Sequence, residues 1–218
     1  PLDISGDFLR ASAKELAGKF PSLPIHPVEA DFMRQVELPG EVATLPKLGF
    51  FPGSTIGNMV ARTAVDLLRS MRETLGEGAK LLIGMDLIKD PEVLEAAYDD
   101  AAGVTAQFNY NLIRRINREL DGDIDLGELV PEARWNDEYA RVEMHLNARR
   151  DLEFTVAGKG FSLPKGESIH TENSHKFNRR TSAMMLLAGG WEPQARWLDS
   201  KERFSLILAE ACPNRSAP

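Results

Sequence analysis

Apolar and polar residues alternate with two different periods along this chain, and the change of period divides it. From Asp7 to Phe20, Phe8, Leu9, Leu16 and Phe20 recur at helical spacing, with Asp7 near the N-terminal end. Pro24 to Phe32 reads as a short strand and Leu48 to Phe51 as another. A helix is expected from Asn58 to Leu75, closed by Gly76, and then a buried strand from Lys80 to Ile88. From Asp90 a long helical stretch runs towards Leu120, with a break around Gly103. Strand and helix taking turns in this way predict a mostly parallel, Rossmann-like sheet covered by helices.

After residue 120 the pattern becomes β-rich. Gly122 to Pro131 reads as an acidic linker whose run Asp121 to Asp125 is a solvated loop. Arg134 to Arg150 alternates as one strand, with Ala140, Val142, Met144 and Leu146 on one side and Tyr139, Arg141, Glu143, His145 and Asn147 on the other. Leu152 to Val156, Phe161 to Leu163 and Ser168 to Lys176 are further expected strands. Phe177 to Ala188 reads as a helix ended by Gly189 and Gly190, and Trp191 to Leu198 with Arg203 to Leu208 as a closing antiparallel pair. The expected division is 1–120 for a nucleotide-binding portion, 121–176 for an inserted β-rich region, and 177–218 for elements completing the sheet.

Composition narrows the function classes only a little. The chain has 218 residues, 43% hydrophobic and 27% charged, with a net charge of −7. Such a length supports a sizeable core, and the negative charge argues against broad binding to nucleic acid or anionic membrane. The single cysteine, Cys212, excludes an intrachain disulfide and reads as an inert thiol in a reducing compartment. No apolar run of membrane-spanning length occurs in the sequence, and no signal peptide is expected.

The stretch Phe50-Phe51-Pro52-Gly53-Ser54-Thr55-Ile56-Gly57-Asn58 carries the strongest local signal. An apolar run ends in glycines, hydroxyls and an amide just before a helix, and such strand-end turns bind ligands in open α/β sheets. Asn58 can cap that helix or hold a ligand. Asp3, in the segment Pro1 to Ser5 that reads as the end of a strand, can be the acid that receives ribose hydroxyls or a helix-flanking aspartate. His26, His145, His170 and His175 have no metal-ligand spacing, so no metal is expected. No serine lies in a nucleophile elbow, and no catalytic nucleophile is expected.

FFPGSTIGN resembles the signature of the ergothioneine-pathway L-histidine Nα-methyltransferases, which use S-adenosylmethionine (SAM). The segments 84–90 (GMDLIKD), 97–106 (AYDDAAGVTA), 117–120 (NREL), 169–177 (IHTENSHKF) and 188–191 (AGGW) also resemble that family, in its order and over nearly the whole chain. The resemblance implies a SAM-dependent methyltransferase sheet, truncated on its N-terminal side, with a β-rich substrate-binding region. It implies methylation of the α-amino nitrogen of L-histidine up to the trimethylated product, hercynine, in three successive transfers. Asp3 would then meet the ribose of SAM, Asp31 and Phe32 the adenine, and Gly53 would lie near SAM. Asn58 and Tyr98 would bind the substrate carboxylate, Glu172 and Ser174 the imidazole, and Met144 would line the imidazole pocket. Glu172 and Ser174 are two apart, so a strand turns both to one side; a polar solvent-facing stripe has the same pattern. Asp86 and Lys89 match a family segment too, and read as structural, closing the strand and capping the next helix.

By the same resemblance, the glycine loop, the first strand and a substrate-binding tyrosine would lie ahead of Pro1. The chain alone is therefore expected to be incomplete and to methylate histidine poorly. The full-length enzyme is expected to be a cytoplasmic monomer that binds neither nucleic acid nor membrane. The alternatives are a methyltransferase of the same fold for another amino acid or amine, and a non-catalytic fragment or interaction module.

Overall fold

The structure, a computed structural model, describes residues 1–213. In chain order its first elements are β1 (Leu2–Asp3), α1 (Gly6–Lys19), β2 (Val28–Glu29), α2 (Gly40–Ala43), β3 (Leu48–Phe51), a 3₁₀ turn (Thr55–Asn58), α3 (Ala61–Leu75) and β4 (Lys80–Asp86). Then come α4 (Pro91–Tyr98), α5 (Val104–Glu119), a second 3₁₀ turn (Leu126–Glu128), β5 (Leu129–Asn136), β6 (Arg141–Ala148), β7 (Leu152–Val156), β8 (Lys159–Leu163) and β9 (Ser168–His175). The last are α6 (Arg179–Ala188), β10 (Trp191–Leu198) and β11 (Phe204–Ala211). The chain divides into two compact units. The first holds Pro1–Ile56, Val60–Met85 and the chain from Asn178; the second holds Gly57–Met59 and Asp86–Phe177.

The first unit is the α/β part. β1 and β2 pair in parallel, Leu2 opposite Val28 and Asp3 opposite Glu29. A separate sheet has the order β10-β11-β4-β3, with β3 and β4 parallel and β10 antiparallel to β11. Leu81, Ile83 and Met85 of β4 are buried, as the apolar run KLLIGMD requires, and Ala64, Leu67 and Leu68 form the buried stripe of α3. Trp191 is fully buried, and its indole N–H donates to the Leu68 carbonyl at 2.8 Å, so this large ring carries no unpaired donor. A Cβ at Gly84 would lie 1.9 Å from the Pro52 carbonyl. Only glycine lets the turn after β3 approach β4 this closely.

The second unit is built on the antiparallel sheet β5-β6-β9 and the hairpin β7-β8. Ile113 of α5 packs with Ile124, Leu129, Leu146, Ala148, Leu152 and Leu163. Leu94 of α4 packs with Val142 and Met144. Asp90 caps α4, its carboxylate accepting from the Glu92 N–H at 2.9 Å, with Pro91 in the first turn.

Several elements differ from the periodicity reading. The expected strand Arg134 to Arg150 is the hairpin β5-β6, whose turn puts Ala140 at φ 48°. That turn has neither glycine nor proline; its turn formers are Asn136 and Asp137, and Asn136 Oδ1 accepts from the Tyr139 N–H at 3.2 Å. The expected linker 122–131 contains the start of β5, and Pro131 is tolerated because β5 is an edge strand. The strand expected over Pro24 to Phe32 contracts to Val28–Glu29. The last helix starts at Arg179, behind an Asn178–Thr181 capping box. Helices α4 and α5 belong to the second unit instead of grouping with residues 1–90, because Leu94 and Ile113 bury against its strands. Among the described residues, no helix is long and apolar enough to cross a membrane.

Candidate functional site

In the second unit the fold gathers residues that lie far apart in sequence. Asn58 ends the 3₁₀ turn, and its amide Nδ2 donates to Glu172 Oε1 on β9 at 3.1 Å. It does not cap α3, whose N-cap position is Val60, with no side-chain hydrogen bond. The turn is seated by its neighbour: His175 Nδ1–H donates to the Gly57 carbonyl at 2.8 Å. A Cβ at Gly57 would lie 2.7 Å from the His175 carbonyl, so this approach too requires glycine.

Tyr98, at the end of α4, reaches the same strand: its hydroxyl and Ser174 Oγ are 2.7 Å apart. Glu172 lies opposite Met144 in the β6-β9 ladder. Met144 is buried in the Leu94–Val142 cluster, with Tyr98 packed alongside, so it contributes apolar surface. The ladder shifts register between Met144 and His145, where Thr171 Oγ1 lies 3.0 Å from the Met144 carbonyl and 2.5 Å from Asn109 Oδ1. Burial alone lifts the Glu172 carboxyl above the usual range. The fold thus brings Asn58, Tyr98, Glu172 and Ser174 together around β9, and packs Met144 beneath them.

Lys176 is the residue that sequence reading passed over. It is 3% exposed, and its ammonium donates to Tyr98 Oη at 2.7 Å and to Ser174 Oγ at 2.6 Å. Asp86 Oδ2 lies 3.0 Å from it, and Lys89 pairs with the other oxygen of Asp86 at 2.5 Å. Asp86 and Lys89 therefore have the structural role expected of them, while helix capping falls to Asp90. The signal for Lys176 was its spacing: Glu172 and Ser174 alternate along β9, and Lys176 continues that period just past its end. Nothing in the sequence marks a lysine as buried.

The histidines are dispersed in use. His26 sits 3.4 Å from Glu41 in the first unit. His145 and His170 stack, with centroids 4.7 Å apart and an interplanar angle of 14°. Burial lowers the His145 pKa, so its Nε2–H donates to Glu143 at 3.2 Å and Nδ1 accepts from Ser168 at 2.9 Å. Burial also acts to raise the Glu143 pKa, but hydrogen bonds, first from Arg141, prevail and hold it low. Ligand atoms of Glu143, His145 and His170 come within 4.8 Å of one another, a proximity that spacing did not foretell. Hydrogen bonds already engage these atoms: both ring nitrogens of His145 have partners, His170 Nε2–H donates to the Glu172 carbonyl at 3.1 Å, and Arg141 pairs with Glu143.

The first unit places its candidates at strand ends. Asp3 closes β1, and its Oδ1 accepts from the Ser5 N–H at 2.8 Å. Asp31 follows β2 and accepts from the Met33 N–H at 2.9 Å. Phe32 meets Phe51 edge to face, with centroids 6.0 Å apart. Gly53 is exposed in the turn after β3, where a Cβ would have Thr55 Oγ1, at 3.6 Å, as its nearest neighbour. Packing therefore does not demand glycine at position 53. An open groove lined by Glu37, Leu38, Lys47 and Thr74 contains none of these residues.

Comparison with known proteins identifies the family of the chain. The chain is 36% identical over 212 residues to the histidine N-alpha-methyltransferase of Mycolicibacterium smegmatis and 35% identical to that of Mycobacterium tuberculosis, with 96% of the chain aligned in each case. It spans 65% of the length of each of these relatives. Its fold is similar to that of a SAM-dependent methyltransferase from Clostridium acetobutylicum, with a TM-score of 0.51 at 11% identity, covering 97% of this chain and 74% of that one. The family model for SAM-dependent, histidine-specific methyltransferases matches residues 1–211, and the chain belongs to that family.

Proposed function

We propose that the protein methylates the α-amino nitrogen of L-histidine, up to the trimethylated product hercynine, the step that feeds ergothioneine synthesis. The observation that carries this reading is the convergence of Asn58, Tyr98, Glu172 and Ser174 in the second unit. An imidazole needs a partner at each ring nitrogen. Glu172 offers an acceptor and Ser174 a hydroxyl two residues on, while Asn58 and Tyr98 offer polar groups for a carboxylate. The relatives' names point to the same substrate.

The donor would be held in the first unit, whose residues fit a nucleoside. A carboxylate at a strand end can accept from both ribose hydroxyls, the role of Asp3. Asp31 and Phe32 suit adenine, and Gly53 leaves a flank that a ligand can approach. Bound SAM supplies an electrophilic sulfonium methyl. The chain has only to hold and orient the amino nitrogen as nucleophile, which is catalysis by positioning. We read the enzyme as a cytoplasmic monomer, and its charge of −7 offers little to nucleic acid.

The test is calorimetric titration with L-histidine and S-adenosylhomocysteine, with mass spectrometry to follow successive methyl additions from SAM. L-histidine should bind and be methylated, histidinamide should be a poor substrate, and L-tryptophan should be inert. Equal turnover of L-tryptophan would favour a broader amine methyltransferase. Asn58→Ala separates a ligand role from a helix cap. Because Asn58 does not cap α3, the variant should melt close to wild type and bind L-histidine about 10-fold more weakly. A lower melting temperature with normal turnover would make Asn58 a structural residue, acting through its bond to Glu172.

A further inference from the structure

We propose that Lys176 is a positioning residue of the acceptor site, acting on the ligand through Tyr98 and Ser174. Proton accounting around its ammonium leads to this. The three protons of Lys176 go to Tyr98 Oη, Ser174 Oγ and Asp86 Oδ2. The ammonium is buried and has no donor left for a ligand. Tyr98 and Ser174 must both accept from it, and the bond between the two hydroxyls uses one of their two protons. The pair keeps a single O–H to present: with it on Ser174 for the imidazole, Tyr98 donates to Ser174 and orients it, and of the two groups offered to the carboxylate Asn58 is the one that keeps a free donor. Beside Ser174 on β9 stands Glu172, an acceptor. One donor next to one acceptor is the complement of a neutral imidazole, which has one bare nitrogen and one N–H. Without the cation, either hydroxyl could turn, and the site would lose this fixed order.

This inference rests on the histidine reading above, and a thermodynamic cycle tests it apart from that reading. L-histidine is titrated, with S-adenosylhomocysteine present, into wild type, Lys176→Met, Tyr98→Phe/Ser174→Ala, and the triple variant. Methyl-transfer kinetics are measured on the same four proteins. Lys176→Met should weaken histidine binding about 10- to 100-fold, the scale of losing a charge-assisted bond. The loss should appear mainly in KM. Removing Lys176 from the protein that already lacks both hydroxyls should cost less than 3-fold, roughly the limit of additivity for uncoupled sites. Equal losses in both backgrounds would make Lys176 merely structural and overturn the proposal. Lys89 still pairs with Asp86 in Lys176→Met, so that carboxylate keeps a partner. If Lys176→Met does not fold, Asp86→Asn replaces it: that change loosens the third anchor of the ammonium and should show the same dependence on the two hydroxyls. Failure of wild type to bind L-histidine would instead remove the substrate reading itself.

Discussion

Glu172→Gln should weaken L-histidine binding about 10- to 100-fold while melting no lower than wild type at neutral pH. The two effects have one cause. Glu172 is half-buried on β9, and burial raises its pKa because the charged form is penalised there. Glutamine removes that penalty and keeps an oxygen that can accept from Asn58 Nδ2. It loses the charge that would strengthen a bond from a ring N–H, roughly 1.5–3 kcal/mol for a charge-assisted bond. The sign for stability follows from linkage. With its folded pKa raised, Glu172 holds its proton more tightly in the native state. Wild type therefore loses stability as pH rises from about 4.3, the unfolded value, through the folded pKa. The variant does not titrate at this position, so the two melting curves should draw together on acidification. Calorimetric binding and thermal melts between pH 4 and 8, roughly the range of carboxylate and histidine titration, check both halves. Normal histidine affinity would remove Glu172 from the acceptor site, and a clear loss of stability at neutral pH would overturn the burial penalty on its charge.

Parts of this arrangement could be read from sequence because they are local. The alternation of strand and helix through Asp86, the helix boundary near Gly76 and the break around Gly103 all depend on neighbouring residues, and they appear at or near those positions. The β5-β6 hairpin was overlooked because its turn lacks glycine and proline and is marked only by Asn136 and Asp137. Contacts across long separations had no local signal. Asn58 and Glu172 are 114 residues apart, and only the family resemblance paired them in function. The burial of Lys176 and the stacking of His145 on His170 depend on the register of β6 against β9, including its irregularity after Met144. A shift of one residue there would send each side chain to the other face, so residue spacing alone could not place them.

Two glycines of one motif should respond in opposite ways to the same added methyl group. Gly57→Ala puts a Cβ 2.7 Å from the His175 carbonyl, a backbone atom that cannot turn aside. The 3₁₀ turn must lift from β9, stretching the 2.8 Å bond from His175 Nδ1 and drawing Asn58 away from Glu172. Overpacking of this kind costs roughly 1–3 kcal/mol. The variant should lose stability on that scale and lose histidine affinity at least as severely as Asn58→Ala. Gly53→Ala meets only Thr55 Oγ1, at 3.6 Å, an ordinary contact. Its melting temperature without ligand should stay near that of wild type. If the flank of Gly53 is where the backbone approaches SAM, the added methyl group should instead weaken S-adenosylhomocysteine binding, with histidine affinity affected only through the cofactor. Thermal melts and separate titrations of the two ligands distinguish the cases. A stable Gly57→Ala protein with intact histidine binding would show that the turn can move without cost. Unchanged cofactor affinity in Gly53→Ala would place SAM elsewhere than beside this glycine.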